Sequence, residues 1–231
     1  MTKTAWTPKT LAAIIDHTFL KPYGPPADIE RLCQEARAYG FAMVAVNPAE
    51  VERCVALLHG TNVRVGAAIG FPLGQNTSAV KAFETQDAIA KGAGEIDMVI
   101  NIRALQAGQL EVVRREIETL AELCREADAT SKVILETCYL TDDEKRTVCE
   151  LAVQAGVDFV KTSTGFGTAG ATVKDVQLMR AVVGPEMGVK AAGGIRTLED
   201  ALAMIQAGAT RLGTSSGVEI IEALMARLDE P

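Results

Sequence analysis

The sequence predicts an α/β protein folded as a single (β/α)8 TIM barrel with a short N-terminal helix, and three observations predict it. Short β-branched runs alternate with amphipathic stretches along the chain, most of those stretches stop at a glycine, and the runs number eight. Eight parallel strands close this barrel, and 231 residues is an ordinary length for it. No Pro/Ser-rich linker or change of composition divides the chain, so residues 1–231 are expected to form one domain. The competing architecture is the doubly wound open sheet, which uses the same βα units.

Thr7-Pro8 opens the first helix, because threonine suits the N-cap and proline the first helical position. This helix is expected to end before Asp16 and to plug the bottom of the barrel. Strands are expected to start near Asp16, Phe41, Val63, Glu95, Lys132, Asp158, Gly188 and Arg211. Between them, Ile29, Leu32, Cys33 and Ala36 share one helical face before Gly40, and Val51, Cys54, Val55 and Leu58 share another before Gly60. Asn47-Pro48 opens the second of these helices. Thr141-x-x-Glu144 is a capping box ahead of Val148, Leu151, Ala152 and Ala155, and Thr197 caps a helix carrying Leu198, Ala201, Leu202 and Ile205.

Composition removes several function classes. The chain is 48% hydrophobic and 23% charged, enough apolar material for a large core. Its net charge of -7, with no Lys/Arg block, lacks the footprint of a nucleic-acid or anionic-membrane binder. MTKTAWTPKT has no apolar core of signal-peptide length and no run of 18 apolar residues follows, so a cytoplasmic location is expected. Cys33, Cys54, Cys124, Cys138 and Cys149 are odd in number and form no C-x-x-C pair, which favours reduced structural thiols. His17 and His59 are the only histidines and form no His-x-His pattern, so no metal site is expected. His59 sits at a helix end, where the dipole favours it.

Barrel strands lie between helices and a packed interior, so they should read as apolar runs. Several carry charges instead. In Glu95–Asn101, a period of two puts Glu95, Asp97, Val99 and Asn101 on the inner face and Ile96, Met98 and Ile100 against the helices. The same rule turns Lys132, Ile134 and Glu136 inward, places Lys161 with Phe159 and Ser163, and sets Lys190 between outward Val189 and Ala191. With Asp16 on the first strand, the lumen is expected to hold three lysines and three carboxylates. One reading is structural, with Lys132 and Glu136 as a buried ion pair. Buried charges are costly, however, and ion pairs often fail to recover that cost, so a cluster at a barrel's catalytic end points to function. A second ammonium beside Lys161 would lower its pKa and free the neutral amine that attacks a carbonyl, the chemistry of a Schiff-base enzyme.

Phosphate binding has its own physical basis. Many barrels hold phosphate where the loops after strands seven and eight meet a helix N-terminus. Gly193-Gly194 and Gly213-Thr-Ser-Ser-Gly217 fall there, and Ser215 and Ser216 add hydroxyl donors. The bland reading is that these glycines merely make tight turns.

Seven segments then carry a resemblance: Asp16-His-Thr-Phe-Leu-Lys-Pro22, Gly70-Phe-Pro-Leu-Gly74, Glu95-Ile-Asp-Met-Val-Ile-Asn101, Lys132-Val-Ile-Leu-Glu-Thr137, Phe159-Val-Lys-Thr-Ser-Thr-Gly-Phe166, Gly188-Val-Lys-Ala-Ala-Gly-Gly-Ile-Arg196 and Arg211-Leu-Gly-Thr-Ser-Ser-Gly217. In this order and at strand ends, they make the chain resemble the deoxyribose-phosphate aldolases from end to end. The resemblance implies reversible cleavage of 2-deoxy-D-ribose 5-phosphate to acetaldehyde and D-glyceraldehyde 3-phosphate, with no metal or organic cofactor. It implies Lys161 as the Schiff-base lysine, Asp97 as the acid/base and Lys190 as the second lysine. Asp16 and Lys132 match a supporting polar network, and Gly165 a further phosphate contact.

The partner expected is a small phosphorylated sugar, with a homodimer as the candidate assembly. Two features depart from some family members: Ala45 stands where they carry cysteine, and the chain ends Leu228-Asp-Glu-Pro231 rather than in tyrosine. That leaves Tyr23, Tyr39, Tyr139 or water for the last proton transfer. By strand alternation His17 faces away from Asp16 and is not expected on substrate. Phe71 is a candidate wall of the aldehyde pocket. Another phosphosugar aldolase or isomerase, or a non-catalytic sugar-phosphate sensor, are the competing functions.

Overall fold

The computed structural model describes residues 6–229. Parallel pairing runs through β1 (Ile15–Phe19), β2 (Met43–Val46), β3 (Arg64–Ile69), β4 (Glu95–Val99), β5 (Thr130–Ile134), β6 (Phe159–Lys161), β7 (Gly188–Ala192) and β8 (Arg211–Thr214). β8 then pairs with β1, so the sheet closes as a (β/α)8 barrel and the open doubly wound alternative falls. Every strand starts within two residues of its expected position.

Helices α1 (Pro8–Ala12), α2 (Ala27–Tyr39), α3 (Val51–Leu57), α4 (Ser78–Ala90), α5 (Ile102–Gln106), α6 (Leu110–Glu126), α7 (Asp142–Ala155), α8 (Val173–Val183), α9 (Leu198–Ala207) and α10 (Gly217–Asp229) connect the strands. Local chemistry sets their ends. Thr7 caps α1 with Pro8 following it, Thr141 with Glu144 forms a capping box at α7, and Thr197 forms one with Asp200 at α9. Gly40 ends α2 in the left-handed conformation. The contact that α1 makes is with α10, beside the start of β1. Among the described residues no helix is long and apolar enough to cross a membrane.

Alternation along the strands divides the interior in two. Outward Val44, Ile96, Met98, Val133, Val160, Val189, Ala191 and Leu212 join the helices in the continuous apolar core. Inward Asp16, Asp97, Lys132, Lys161 and Lys190 are buried in the lumen. Register brings these charges together, because Asp97 pairs with Lys132, Lys161 with Lys190, and Lys190 with Arg211 on neighbouring strands. Gly213 is the residue that makes room for this: a Cβ there would lie 3.0 Å from Lys190 Cε and 2.9 Å from Ala192 Cβ.

Two residues leave the expected alternation. β4 ends at Val99, and Asn101 turns out of the strand to cap α5, accepting the Ala104 N–H at 3.0 Å. β5 ends at Ile134, and Glu136 adopts a left-handed backbone with φ 56°. A period of two holds only while the strand continues, so neither side chain reaches the lumen as expected.

Candidate active site

The lumen charges form one connected network. Asp97 Oδ1 accepts from Lys132 Nζ at 2.9 Å, while Oδ2 accepts from Lys161 Nζ at 2.8 Å and Lys190 Nζ at 2.7 Å. Lys132 also pairs with Glu95, and Lys190 with Asp16 at 2.5 Å. Arg211 closes the ring by pairing with Asp16 at 2.7 Å and Glu95 at 3.4 Å. The expected Lys132–Glu136 ion pair is therefore absent: Lys132 points to Glu95 and Asp97, and Glu136 binds Thr164 instead. Arg211 and Glu95 are members that the chemical reading passed over. Their signal was present in the period of two, which puts Glu95 on the face of Asp97 and Arg211 on the face of Gly213.

Four cations, Lys132, Lys161, Lys190 and Arg211, face three carboxylates, Asp16, Glu95 and Asp97. Loss of one proton balances the cluster, and Lys161 is placed to lose it. Burial lowers its amine most, Asp97 pulls it back up, and the Lys190 charge lowers it again, leaving it at about 8. Burial raises the Asp97 carboxyl, but Lys132, Lys161 and Lys190 together outweigh this and hold it well below the ordinary carboxylate range. Asp16 is likewise lowered, by Lys190 and Arg211 acting against burial. For Lys132, burial is overcome by Asp97 and Glu95, which raise it and keep it charged.

A cavity of about 910 Å³ opens over the C-terminal ends of the strands, and Lys161 forms part of its floor. Asp16, Asp97, Lys132 and Lys190 lie beneath Lys161 and do not line it. All five residues expected around phosphate, Gly165, Gly193, Gly194, Ser215 and Ser216, line the same cavity. Gly193 and Gly194 have φ of 84° and 81°, which only glycine adopts without strain. A Cβ on Gly193 would meet the Gly170 Cα at 3.0 Å and the Gly165 Cα at 3.4 Å, so three backbone segments pack here without side chains. The N-terminus of α10 follows Ser216 directly. Ser216 offers its hydroxyl rather than its N–H, which is taken by Thr214 Oγ1 at 2.9 Å. Arg196 also lines the cavity and adds a cation to its lining.

The aromatic and imidazole expectations are partly redrawn. Phe71 does not line the cavity; it meets Phe166, which does, edge to face with centroids 5.4 Å apart. Ser163 lies beyond the end of β6 and is buried without reaching the cavity. His17 faces α2 as alternation requires, with Nε2 2.6 Å from Glu35 Oε2, yet both residues line the outer cavity. Tyr23 lines the cavity too, whereas the Tyr39 hydroxyl donates to Glu222 at 2.8 Å. Among the described residues no group of three or more His, Cys, Asp or Glu side chains is arranged to hold a metal.

Residues 10–223 match the family described as DeoC/LacD family aldolase. A protein of Bacteroides thetaiotaomicron named deoxyribose-phosphate aldolase is 71% identical over 213 residues, covering 92% of this chain and 90% of its own. Another of the same name, from Thermococcus gammatolerans, is 59% identical over 214 residues, covering 92% of this chain and 95% of its own. The solved structure of the deoxyribose phosphate aldolase from Aeropyrum pernix, described as a unique tetramer, matches with a TM-score of 0.88 at 36% identity, over 96% of this chain and 93% of that one. With a closed barrel, a lysine-bearing lumen and these relatives, the chain belongs to the DeoC/LacD family of aldolases.

Proposed function

We propose that this protein reversibly cleaves 2-deoxy-D-ribose 5-phosphate to acetaldehyde and D-glyceraldehyde 3-phosphate through a Schiff base on Lys161. One observation carries the reading: of the four lumen cations, only Lys161 opens into a cavity whose far wall is built from glycine turns, serine hydroxyls and a helix N-terminus. The neutral amine attacks the aldehyde carbon of the open-chain sugar, and loss of water leaves an iminium. Removal of the C3 hydroxyl proton lets the C2–C3 electron pair move to C2, which releases glyceraldehyde 3-phosphate and leaves an enamine. Protonation at C2 and hydrolysis then free acetaldehyde and regenerate the lysine. Asp97 lies under Lys161 rather than on the cavity wall, so it acts on the hydroxyl proton through water, and Lys190, bonded to the same Asp97 oxygen, shares in the proton transfers. Reduction with borohydride in the presence of acetaldehyde, followed by peptide mapping, tests the nucleophile; label on another lysine overturns the assignment.

Two further outcomes follow from the geometry. Ser216→Asp puts a carboxylate where phosphate is held, and should raise KM for deoxyribose 5-phosphate by roughly tenfold or more while leaving KM for unphosphorylated deoxyribose nearly unchanged. Steady-state kinetics on both sugars decide it, and equal effects would remove the phosphate assignment. The second outcome concerns pH. Free amine accumulates as pH rises through about 8, so kcat/KM should climb there. Lys190→Leu removes a repelling cation and leaves Asp97 with fewer partners, and both changes favour protonated Lys161. The rising limb should therefore move to higher pH, without vanishing, because burial remains the larger influence.

A further inference from the structure

Glu136 is a buried carboxylate that the lumen network does not use. It combines two unfavourable features: a left-handed backbone with φ 56°, and a side chain in a residue only 2% exposed. A glycine would make this turn without strain and without burying a charge, so the turn alone does not account for the carboxylate. Burial pushes the Glu136 carboxyl up, and the donors of Thr164 and the nearby Lys161 charge act the other way.

Its oxygens are directed mainly at Thr164, with the Cys138 thiol as a weaker donor 3.8 Å from Oε1. Glu136 accepts the Thr164 hydroxyl, and the Thr164 N–H lies 3.3 Å from both oxygens. The Thr164 oxygen then accepts the Phe166 N–H at 3.0 Å, which closes a turn around Gly165. Gly165 has φ 86° and packs against Gly193, and Thr164, Gly165 and Phe166 all line the cavity beside Lys161. Beyond the turn the chain comes back over the same carboxylate, since a Cβ on Gly167 would lie 3.1 Å from Glu136 Cδ. The loop is also held from the β7 side, where Thr162 Oγ1 donates to the Ala192 carbonyl and accepts its N–H, both at 3.1 Å. That second attachment adjoins Lys161. The Glu136 attachment acts one step further along, at Gly165.

We propose that Glu136 is a positioning residue which, through Thr164, sets the loop that presents Gly165 to the substrate phosphate. This rests on the phosphate reading above and extends it to a residue with no contact to the sugar. Because Thr162 holds the lysine end independently, loss of the Glu136 attachment disturbs phosphate recognition and leaves imine formation intact.

Glu136→Gln keeps volume and one acceptor but turns an amide N–H₂ toward the donors of Thr164. It should raise KM for deoxyribose 5-phosphate by about tenfold, with kcat within about threefold and KM for unphosphorylated deoxyribose within about twofold. Borohydride trapping of acetaldehyde on Lys161 should be unchanged. Thr164→Val should reproduce this split, Thr164→Ser should restore the wild-type KM, and the double variant should be no worse than the worse single one, because the two groups act as a unit. Equal rises on both sugars, additive effects, or failure of Thr164→Ser to restore KM would overturn the proposal. Should Glu136→Gln not fold, the Thr164→Val and Thr164→Ser pair decides the matter alone. Ser216→Asp in the same assay separates the two levels: loss of its phosphate selectivity removes the phosphate reading, whereas selectivity there with none at Glu136 removes only this inference.

Discussion

Lys161→Leu is expected to lower cleavage of deoxyribose 5-phosphate by roughly 10⁴-fold or more, since no other step in the scheme proceeds without the covalent electron sink. Acetaldehyde trapping should disappear with it. The fold should survive, and the charge count explains why. With Lys161 removed, Lys132, Lys190 and Arg211 face Asp16, Glu95 and Asp97, three against three, and Asp97 keeps two ammonium partners. Leucine fills much of the vacated space and needs no solvation, so thermal unfolding should occur within a few degrees of wild type. A variant that unfolds much earlier yet turns over would reverse both halves of the argument. Lys190→Leu differs, because it strips Asp16 of one of its two cations and leaves Asp97 with Lys132 and Lys161 only.

Asp97→Asn should give the second largest effect, and its signature is a separation of two steps. The amide keeps the shape of the side chain but neither accepts a proton nor balances three ammonium groups. Lys132 retains Glu95 and Lys190 retains Asp16, whereas Lys161 loses its one direct carboxylate partner. Because Asp97 raises the Lys161 amine, its loss leaves more neutral amine at a given pH, so trapping with acetaldehyde should persist. Carbon–carbon cleavage should fall by roughly 10²-fold or more, the usual scale for losing a general base. Breaking a buried ion pair also costs roughly 3–5 kcal/mol, so a lower Tm is expected alongside. Trapping and turnover measured on one preparation, at a temperature below the new Tm, distinguish the chemical loss from unfolding. Full activity, or loss of trapping in step with turnover, would take Asp97 out of proton transfer.

What could be read without a structure follows from the range of the forces involved. Strand alternation, helix caps and glycine stops are local, so the strand starts, the Thr141 box, the Thr197 cap and the inward faces of Asp97, Lys132, Lys161 and Lys190 were legible in the chain. The glycine and serine turns after β7 and β8 were legible for the same reason, and they line one cavity with Lys161.

Local rules fail where a strand stops or where partners come from distant segments. Glu136 obeys the period of two up to Ile134 and then turns left-handed, so its carboxylate serves the β6 loop instead of Lys132. Ring closure chooses the partners across the lumen, and it joins Arg211 on β8 to Glu95 on β4, residues 116 positions apart. Helix packing chooses others, such as the buried pair of Lys81 on α4 with Glu116 on α6 at 2.8 Å, which helical periodicity does not announce. The sequence by itself determined which way each strand residue faces and what chemistry the inward ones carry, because alternation is a property of one backbone. Only the tertiary structure decided which charge meets which, how far burial pulls Lys161 toward its neutral form, and which lysine opens to the cavity. Each of these depends on closure of the ring, which brings together residues that no local rule relates and excludes the water that would otherwise screen them.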